Sequence, residues 1–146
     1  MKRYVMHILN VPVICVIVLL SSMPASSRCV NGNCSDGRGT YHFINGNRYS
    51  GPFMKGNPHG TGTCLFSGGE RYTGSFSRGI IHGRGTYYFA NGERFTGTFA
   101  NGGMLEGTYY FTNGDRYIGR FSRGRKQGRG SYFYASGYCF TGNWDD

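Results

Sequence analysis

Four arginines recur along this chain at intervals of 23, 23 and 22 residues: Arg48, Arg71, Arg94 and Arg116. Each stands one position before an aromatic residue, namely Tyr49, Tyr72, Phe95 and Tyr117. A guanidinium is always charged and presents a planar fork of donors that matches carboxylate and phosphate oxygens. Repeated in register, such forks would make a ladder for anions. Arg38, Arg84 and Arg129 form a second, broken column, and Arg120, Arg123, Arg125 and Lys126 crowd the last full unit. The formal net charge is +9 over 146 residues, with a pI of about 9.6. A one-signed surface of this kind attracts phosphates or acidic partners. Arg48, Arg71, Arg94, Arg116, Arg120, Arg123, Arg125, Lys126 and Arg129 are therefore the candidate binding residues.

Other reactive side chains do not assemble into a site. His59 and His82 share a column with Asp36 and Gln127, just before a glycine. Equivalent residues in adjacent units would lie roughly 10 Å apart, too far to share a metal or relay one proton. Glu70, Glu93 and Asp115 follow a second turn glycine and read as solvated turn residues. Neither a nucleophile elbow nor a phosphate loop is present. The cysteines offer no zinc spacing with a second Cys or His. The sequence therefore argues for no catalytic residue, no metal, no cofactor and no small-molecule substrate.

Cysteine placement speaks to structure instead. Cys29 and Cys34 flank Val30–Asn33, a loop short enough to close by a disulfide. Cys64 and Cys139 stand about three repeats apart, roughly 30 Å, beyond reach of each other in one straight array. Cys64 falls in the column of Tyr41, Tyr87, Tyr109 and Tyr132 and reads as a small buried apolar residue. Cys139 replaces an arginine and is available for pairing between chains. Asn33-Cys34-Ser35 matches a glycosylation acceptor, a short and weak signal.

The elements that must position the arginines follow from the same periodicity. Tyr49, Tyr72, Phe95, Tyr117 and Phe140 open successive units, glycines follow two residues on, and Phe53, Phe76, Phe99, Phe121 and Trp144 two further. Alternate aromatic, glycine, aromatic is the period of a strand with one aromatic face, and places the preceding arginine on the other face. A second strand follows at Gly85–Phe89, after a turn over Ser77–Gly83. Asn45-Gly46, Asn91-Gly92 and Asn113-Gly114 signal tight strand-joining turns, with Ser136-Gly137 a weaker copy. The strand glycines leave hollows for neighbouring aromatic rings. Gly is 26 and aromatics are 16% of the chain, and their strict interleaving argues for order. The expected fold is all-β: an elongated single-sheet solenoid of tandem antiparallel β-hairpins, stabilised from neighbour to neighbour.

The pattern Y-x-G-x-F-x-x-G-x-x-x-G-x-G-x-x-x-x-x-x-G, spanning Gly37 to Trp144, resembles the MORN (membrane occupation and recognition nexus) repeat. It departs at Gly102–Gly107, where one residue is missing and Leu105 replaces the first glycine of Gly-x-Gly, so a tighter turn and altered twist are expected there. The resemblance implies dimerisation, scaffolding and, in some members, contact with anionic lipids. MORN repeats also accompany lipid kinase and methyltransferase domains, for which this chain leaves no room.

Lys2 and Arg3, the apolar run Val11–Leu20 and the small residues Ser21–Ser27 follow the order of a secretory signal peptide. Residues 1–27 are read as a leader, 28–36 as a short cap segment and 37–146 as the repeat array of about five units, the last one partial. Retention of residues 5–20 as an anchor is the lesser reading, since the run falls short of the ~20 apolar residues of a span. Without Lys2 and Arg3 the chain keeps 14 basic against 7 acidic residues. Two readings of function follow. One is an exported scaffold whose sheet face or array ends meet another protein or a second copy; the other is attachment to anionic phospholipid headgroups. Acidic glycans and nucleic acids come third, with nucleic acid last because of export.

Overall fold

The computed structural model describes residues 27–144. The leader therefore lies outside the described residues apart from Ser27, as does the anchor reading of residues 5–20. Among the described residues no helix is long and apolar enough to cross a membrane.

The fold is a single open antiparallel sheet of twelve strands. They are β1 (Arg28–Gly32), β2 (Gly37–His42), β3 (Arg48–Met54), the two-residue β4 (Asn57–Pro58), β5 (Gly60–Leu65) and β6 (Arg71–Ser77). The second half holds β7 (Ile80–Tyr88), β8 (Arg94–Ala100), β9 (Gly103–Tyr110), β10 (Arg116–Ser122), β11 (Arg125–Phe133) and β12 (Cys139–Trp144). Strand order follows chain order, with β4 paired to β3 beside the main path. Residues 28–36, read as a cap with a loop at its centre, contain a strand: β1 pairs with β2, and Cys29 is joined to Cys34 with Cα atoms 5.9 Å apart. Cys64 is free and buried, Cys139 free and exposed.

The register aligns the repeats row by row. Gly74 faces Gly62 and Gly85, while Tyr72 faces Cys64 and Tyr87. On this inner face each opening aromatic lies over the paired glycines. A methyl group at Gly74 or Gly85 would overlap the Tyr72 hydroxyl, and one at Gly119 or Gly130 that of Tyr117. The rings therefore fill the hollows expected from the sequence. Tyr49, Tyr72, Phe95 and Tyr117 are fully buried as a result, although the sheet has one layer.

A second set of rings joins unit to unit. Tyr49 meets Phe76, Tyr72 meets Phe99, Phe95 meets Phe121 and Tyr117 meets Trp144, edge to face, with centroids 4.9–5.2 Å apart. Within each unit the same aromatics meet Phe53, Phe76, Phe99 and Phe121 in the same way. The result is one unbroken relay of rings from Phe53 to Trp144. Edge-to-face pairs add about 0.5–1.5 kcal/mol each beyond burial, which suits an array without a thick core.

Turn chemistry differs from the sequence reading in a specific way. The two-residue turns with positive φ at both positions are Lys55-Gly56, Arg78-Gly79, Asn101-Gly102 and Arg123-Gly124. Three of the four place a long basic side chain in a conformation that Asn or Gly favours. The turns at Asn45-Gly46, Asn91-Gly92 and Asn113-Gly114 are of another kind: only their glycines have positive φ, and Gly92 N donates to Phe89 O. Ser77–Gly83 is not one turn. The chain reverses at Arg78-Gly79, and β7 starts at Ile80 and runs on through a bulge at Gly83, φ 86°.

The shortened repeat is also resolved by its bulge. Asn101-Gly102 has the same φ pattern as the other reversals, so its turn is not tighter. The missing residue comes out of the bulge: Thr98 faces Glu106 directly, and Leu105 alone is left over before Met104 faces Phe99. In three intact repeats the opening Tyr hydroxyl bonds a carbonyl at the bulge, Tyr117 donating to Arg120 O at 3.4 Å. Tyr49 donates to Pro52 O at 3.0 Å and Tyr72 to Ser75 O at 3.1 Å. Where the bulge shrinks, the opening residue is Phe95 and has no hydroxyl to place.

Candidate binding face

Strand alternation puts every opening aromatic inside and the preceding arginine outside. Register then assembles a row across the outer face. Arg48 and Arg71 both face Leu65; Arg71 and Arg94 face Tyr88; Arg94 and Arg116 face Tyr110; Arg116 also faces Phe133. The guanidinium carbon of Arg71 sits 4.2 Å from the Tyr88 centroid, Arg94 4.2 Å from Tyr110, and Arg116 4.4 Å from Phe133. Each cation thus lies on the aromatic of the next strand, worth about 0.5–1 kcal/mol at an exposed site. Stacking also removes rotamer freedom before any anion arrives. Arg48 has no ring beyond it, only Leu65.

A second outer row runs beside the first, two residues along each strand. It holds hydroxyls, with Thr40 on Ser50 at 2.8 Å, Thr63 on Thr73 at 3.2 Å, Thr86 on Thr96 at 3.2 Å and Ser131 on Thr141 at 2.8 Å, and is broken beside Arg116 by the exposed Ile118, which faces Thr108 and Ser131. A third row holds Arg38, Arg84, Arg120 and Arg129, facing Pro52, Thr98, Glu106 and Asn143. Between the second and third rows a shallow groove is lined by Arg84, Gly85, Thr86, Thr96, Gly97 and Thr98. Among the described residues, Glu106 is the one acid on a strand of this face, 4.0 Å from Arg120, both well exposed.

The cluster read at Arg120, Arg123, Arg125 and Lys126 is not one patch. Arg120 and Arg125 stand on the outer face, and Arg123 is at the tip of a turn. Lys126 belongs to the inner face. It occupies the column of Pro58, Ile81 and Met104, opposite Phe121 as those face Phe53, Phe76 and Phe99. Its ammonium lies 4.3 Å from the Tyr132 centroid, 4.4 Å from Trp144, and 5.2 Å from both Phe111 and Tyr117. Burial pushes its pKa down to about 8, opposed in part by Asp115. The sequence reading missed this because adjacent Arg125 and Lys126 look alike while strand alternation sends them to opposite faces.

Two of the three acids at the second turns, Glu93 and Asp115, are clamps, not solvated residues. Asp115 is 9% exposed; it accepts the Tyr132 hydroxyl at 2.7 Å, the Ala135 amide at 2.8 Å and the Asn113 side chain at 2.9 Å. The Ala135 amide holds its carboxyl below the usual range; burial works the other way, and Tyr132, Asn113 and Lys126 add to the lowering. Glu93 takes the Tyr109 hydroxyl at 2.6 Å, and Asn47 receives the Ser67 amide at 3.0 Å. Each ties its own turn to the following repeat. Burial, then the partner carboxylates, push the Tyr109 and Tyr132 hydroxyls well above their ordinary pKa. Their shared position after the turn glycine was the available signal. His59 and His82 lie in successive repeats, and among the described residues no group of His, Cys, Asp or Glu could hold a metal ion.

Comparison with known proteins follows the same periodicity. The MORN repeat pattern matches residues 35–48, 49–71, 72–94, 106–116 and 117–137. The gap at 95–105 coincides with the shortened unit. No curated protein matches the chain. Among solved structures, it is similar to the TCP domain of SAS-4 (dCPAP) from Drosophila melanogaster, solved in complex with a proline rich motif of Ana2 (dSTIL). That likeness is 18% identical with a TM-score of 0.37, covering 88% of this chain and 87% of that one.

Proposed function

The chain belongs to the MORN repeat family, whose repeats are non-catalytic modules that bind proteins or membranes, and on that premise we propose an exported binding and scaffolding module that meets acidic partners through its arginine-bearing outer face. The observation that carries this is the threefold stack of Arg71, Arg94 and Arg116 on Tyr88, Tyr110 and Phe133. A merely solvated arginine would keep its rotamers; these are held flat and in line, each one residue after a turn acid (Glu70, Glu93 or Asp115), and among the described residues the one ion pair of the face is Arg120 with Glu106. Held cations cost less to order on binding. The leader-like residues 1–27 support export and the absence of a catalytic cluster in the sequence supports a non-enzymatic role.

Attachment to anionic membranes is the second reading, favoured by the net positive charge of the chain. Titration of the protein with poly-glutamate and sedimentation with anionic and neutral vesicles separate the two. Salt-sensitive binding to poly-glutamate, lost on Arg71→Gln, Arg94→Gln and Arg116→Gln together, supports the first reading. Binding confined to anionic vesicles moves membrane attachment ahead. A folded protein that binds neither polyanion overturns the assignment of this face.

A further inference from the structure

Resting on the outer face as the binding surface, the geometry points to a specific occupant: a linear acidic polysaccharide lying across the strands, with its anionic groups on Arg71, Arg94 and Arg116 and its hydroxyls on the threonine row. The argument begins with spacing. These arginines stand on alternate strands, so successive guanidinium groups are about 10 Å apart. An extended acidic peptide presents same-face carboxylates about 7 Å apart, which falls out of step after one residue. A glycan in which a charged sugar alternates with a neutral one places its anions two rings apart, and every second strand then meets one.

The second row supplies what the sugars between the charges need. Thr63 and Thr73, and Thr86 and Thr96, each share a single hydrogen bond, leaving one O–H donor per pair and acceptor capacity on both hydroxyls. This row parallels the arginine row two residues away, about 7 Å, the breadth of a pyranose ring and its substituents. Beside it, the groove at Gly85 and Gly97 exposes backbone without side chains, where a flat ring can rest. The neighbouring Arg84 adds a cation at the groove wall.

The same face is poorly made for a bilayer. Its aromatic rings, Tyr88, Tyr110 and Phe133, lie beneath arginines and are not free to insert at a headgroup boundary. Its charges also form two separate lines, Arg71, Arg94 and Arg116 and then Arg84, Arg120 and Arg129, with a largely hydroxyl strip between them, whereas a membrane surface rewards an unbroken basic plane. The use of arginine is informative as well. A guanidinium stacked on a ring keeps its N–H edges pointing outward, in position for bidentate contact with carboxylate or sulfate, which lysine cannot reproduce.

Calorimetric titration with defined oligosaccharides of alternating uronic acid and amino sugar, sulfated and unsulfated, tests this. Affinity should rise steeply with length and level off once about six sugars span three arginines. Changing Arg71, Arg94 and Arg116 together to Lys keeps the net charge and should weaken glycan binding about tenfold or more, while poly-glutamate binding changes little. Far-UV circular dichroism and the urea midpoint confirm that the variant remains folded. Equal glycan affinity in the lysine variant reduces the effect to generic charge and overturns the proposal. Binding of poly-glutamate or anionic vesicles without glycans also overturns it while leaving the face as a binding surface. No binding of any polyanion overturns both.

Discussion

Replacing Gly85 by Ala tests whether the glycine row is a seat for the aromatic row. Its added Cβ would overlap the Tyr72 hydroxyl and stand 2.5 Å from Cε2 and Cζ of that ring, whereas ordinary contact begins near 3.4 Å. The ring must therefore lift by about 1 Å. Tyr72 is fully buried, donates to Ser75 O at 3.1 Å and Arg84 O at 3.4 Å, and packs edge to face on Phe76 and Phe99. Overpacking costs about 1–3 kcal/mol, and a strained hydroxyl bond about 0.5–1.5 kcal/mol. Weakening two ring pairs adds about 1 kcal/mol, so the expected loss is about 3–5 kcal/mol. Gly56 is the control: nothing lies within 4 Å of its built Cβ, and its φ of 75° alone should cost about 1–2 kcal/mol in Gly56→Ala. Urea unfolding of both variants, with Tyr72→Leu alone and combined with Gly85→Ala, gives the comparison. A Gly85→Ala loss no larger than that of Gly56→Ala would refute the seating argument. So would strict additivity with Tyr72→Leu, since neighbours in contact should couple by about 0.5–3 kcal/mol.

Three further outcomes follow from the clamps and the inner face. Lys126→Met, the residue of Met104 in the same column, should raise stability at pH 7 by about 1–2 kcal/mol, allowing for the half-open site and the four rings that hold the cation. Because the folded pKa of Lys126 is lowered to about 8, the wild type should gain stability as pH rises from about 8 towards 10.5, a slope that differential scanning should find absent in the variant. Asp115 gives a slope of the same sign in the acid range: its folded pKa is depressed, so its contribution is complete above the unfolded carboxylate value and is lost as pH falls through the folded one. Tyr132→Phe should cost about 1–3 kcal/mol at neutral pH and flatten that acid dependence in urea titrations between pH 6 and 2, taken as an order-of-magnitude window. Cys29→Ser should remove about 2 kcal/mol, felt as faster amide exchange in β1 and β2 with β6–β11 unchanged.

Most of the architecture was legible because one rule, strand alternation, is repeated in each unit. It gave the aromatic face, the glycine hollows and the outward arginines without reference to any partner strand. What escaped it needed information beyond a single strand. Lys126 could not be told from Arg125 until a bulge in β11 had fixed its phase against Phe121. Asp115 looked like a solvated turn residue because its partners, Tyr132 and Ala135, come from the next repeat. The turn at Arg78-Gly79 was obscured because its strain is offset elsewhere: Gly79 N donates to Pro58 O, fixing the reversal from the preceding unit. The arginine–aromatic stacking was half visible. Columns of Arg and of Tyr88 and Tyr110 were in the sequence, but their interleaving follows from register.

The relay of rings from Phe53 to Trp144 has an optical consequence. Trp144 is the single tryptophan of the chain, and it stands at the end of a line of tyrosines and phenylalanines in ring contact. The tyrosines in contact with it, Tyr117 with ring centroids 5.2 Å apart and Tyr132 at 6.0 Å, pass absorbed light to the indole through space. The phenylalanines of the relay absorb at higher energy and do not carry excitation onward from Tyr49 or Tyr72. Tyrosine-sensitised emission of Trp144 is therefore a built-in gauge of whether β12 is still stacked on β10 and β11.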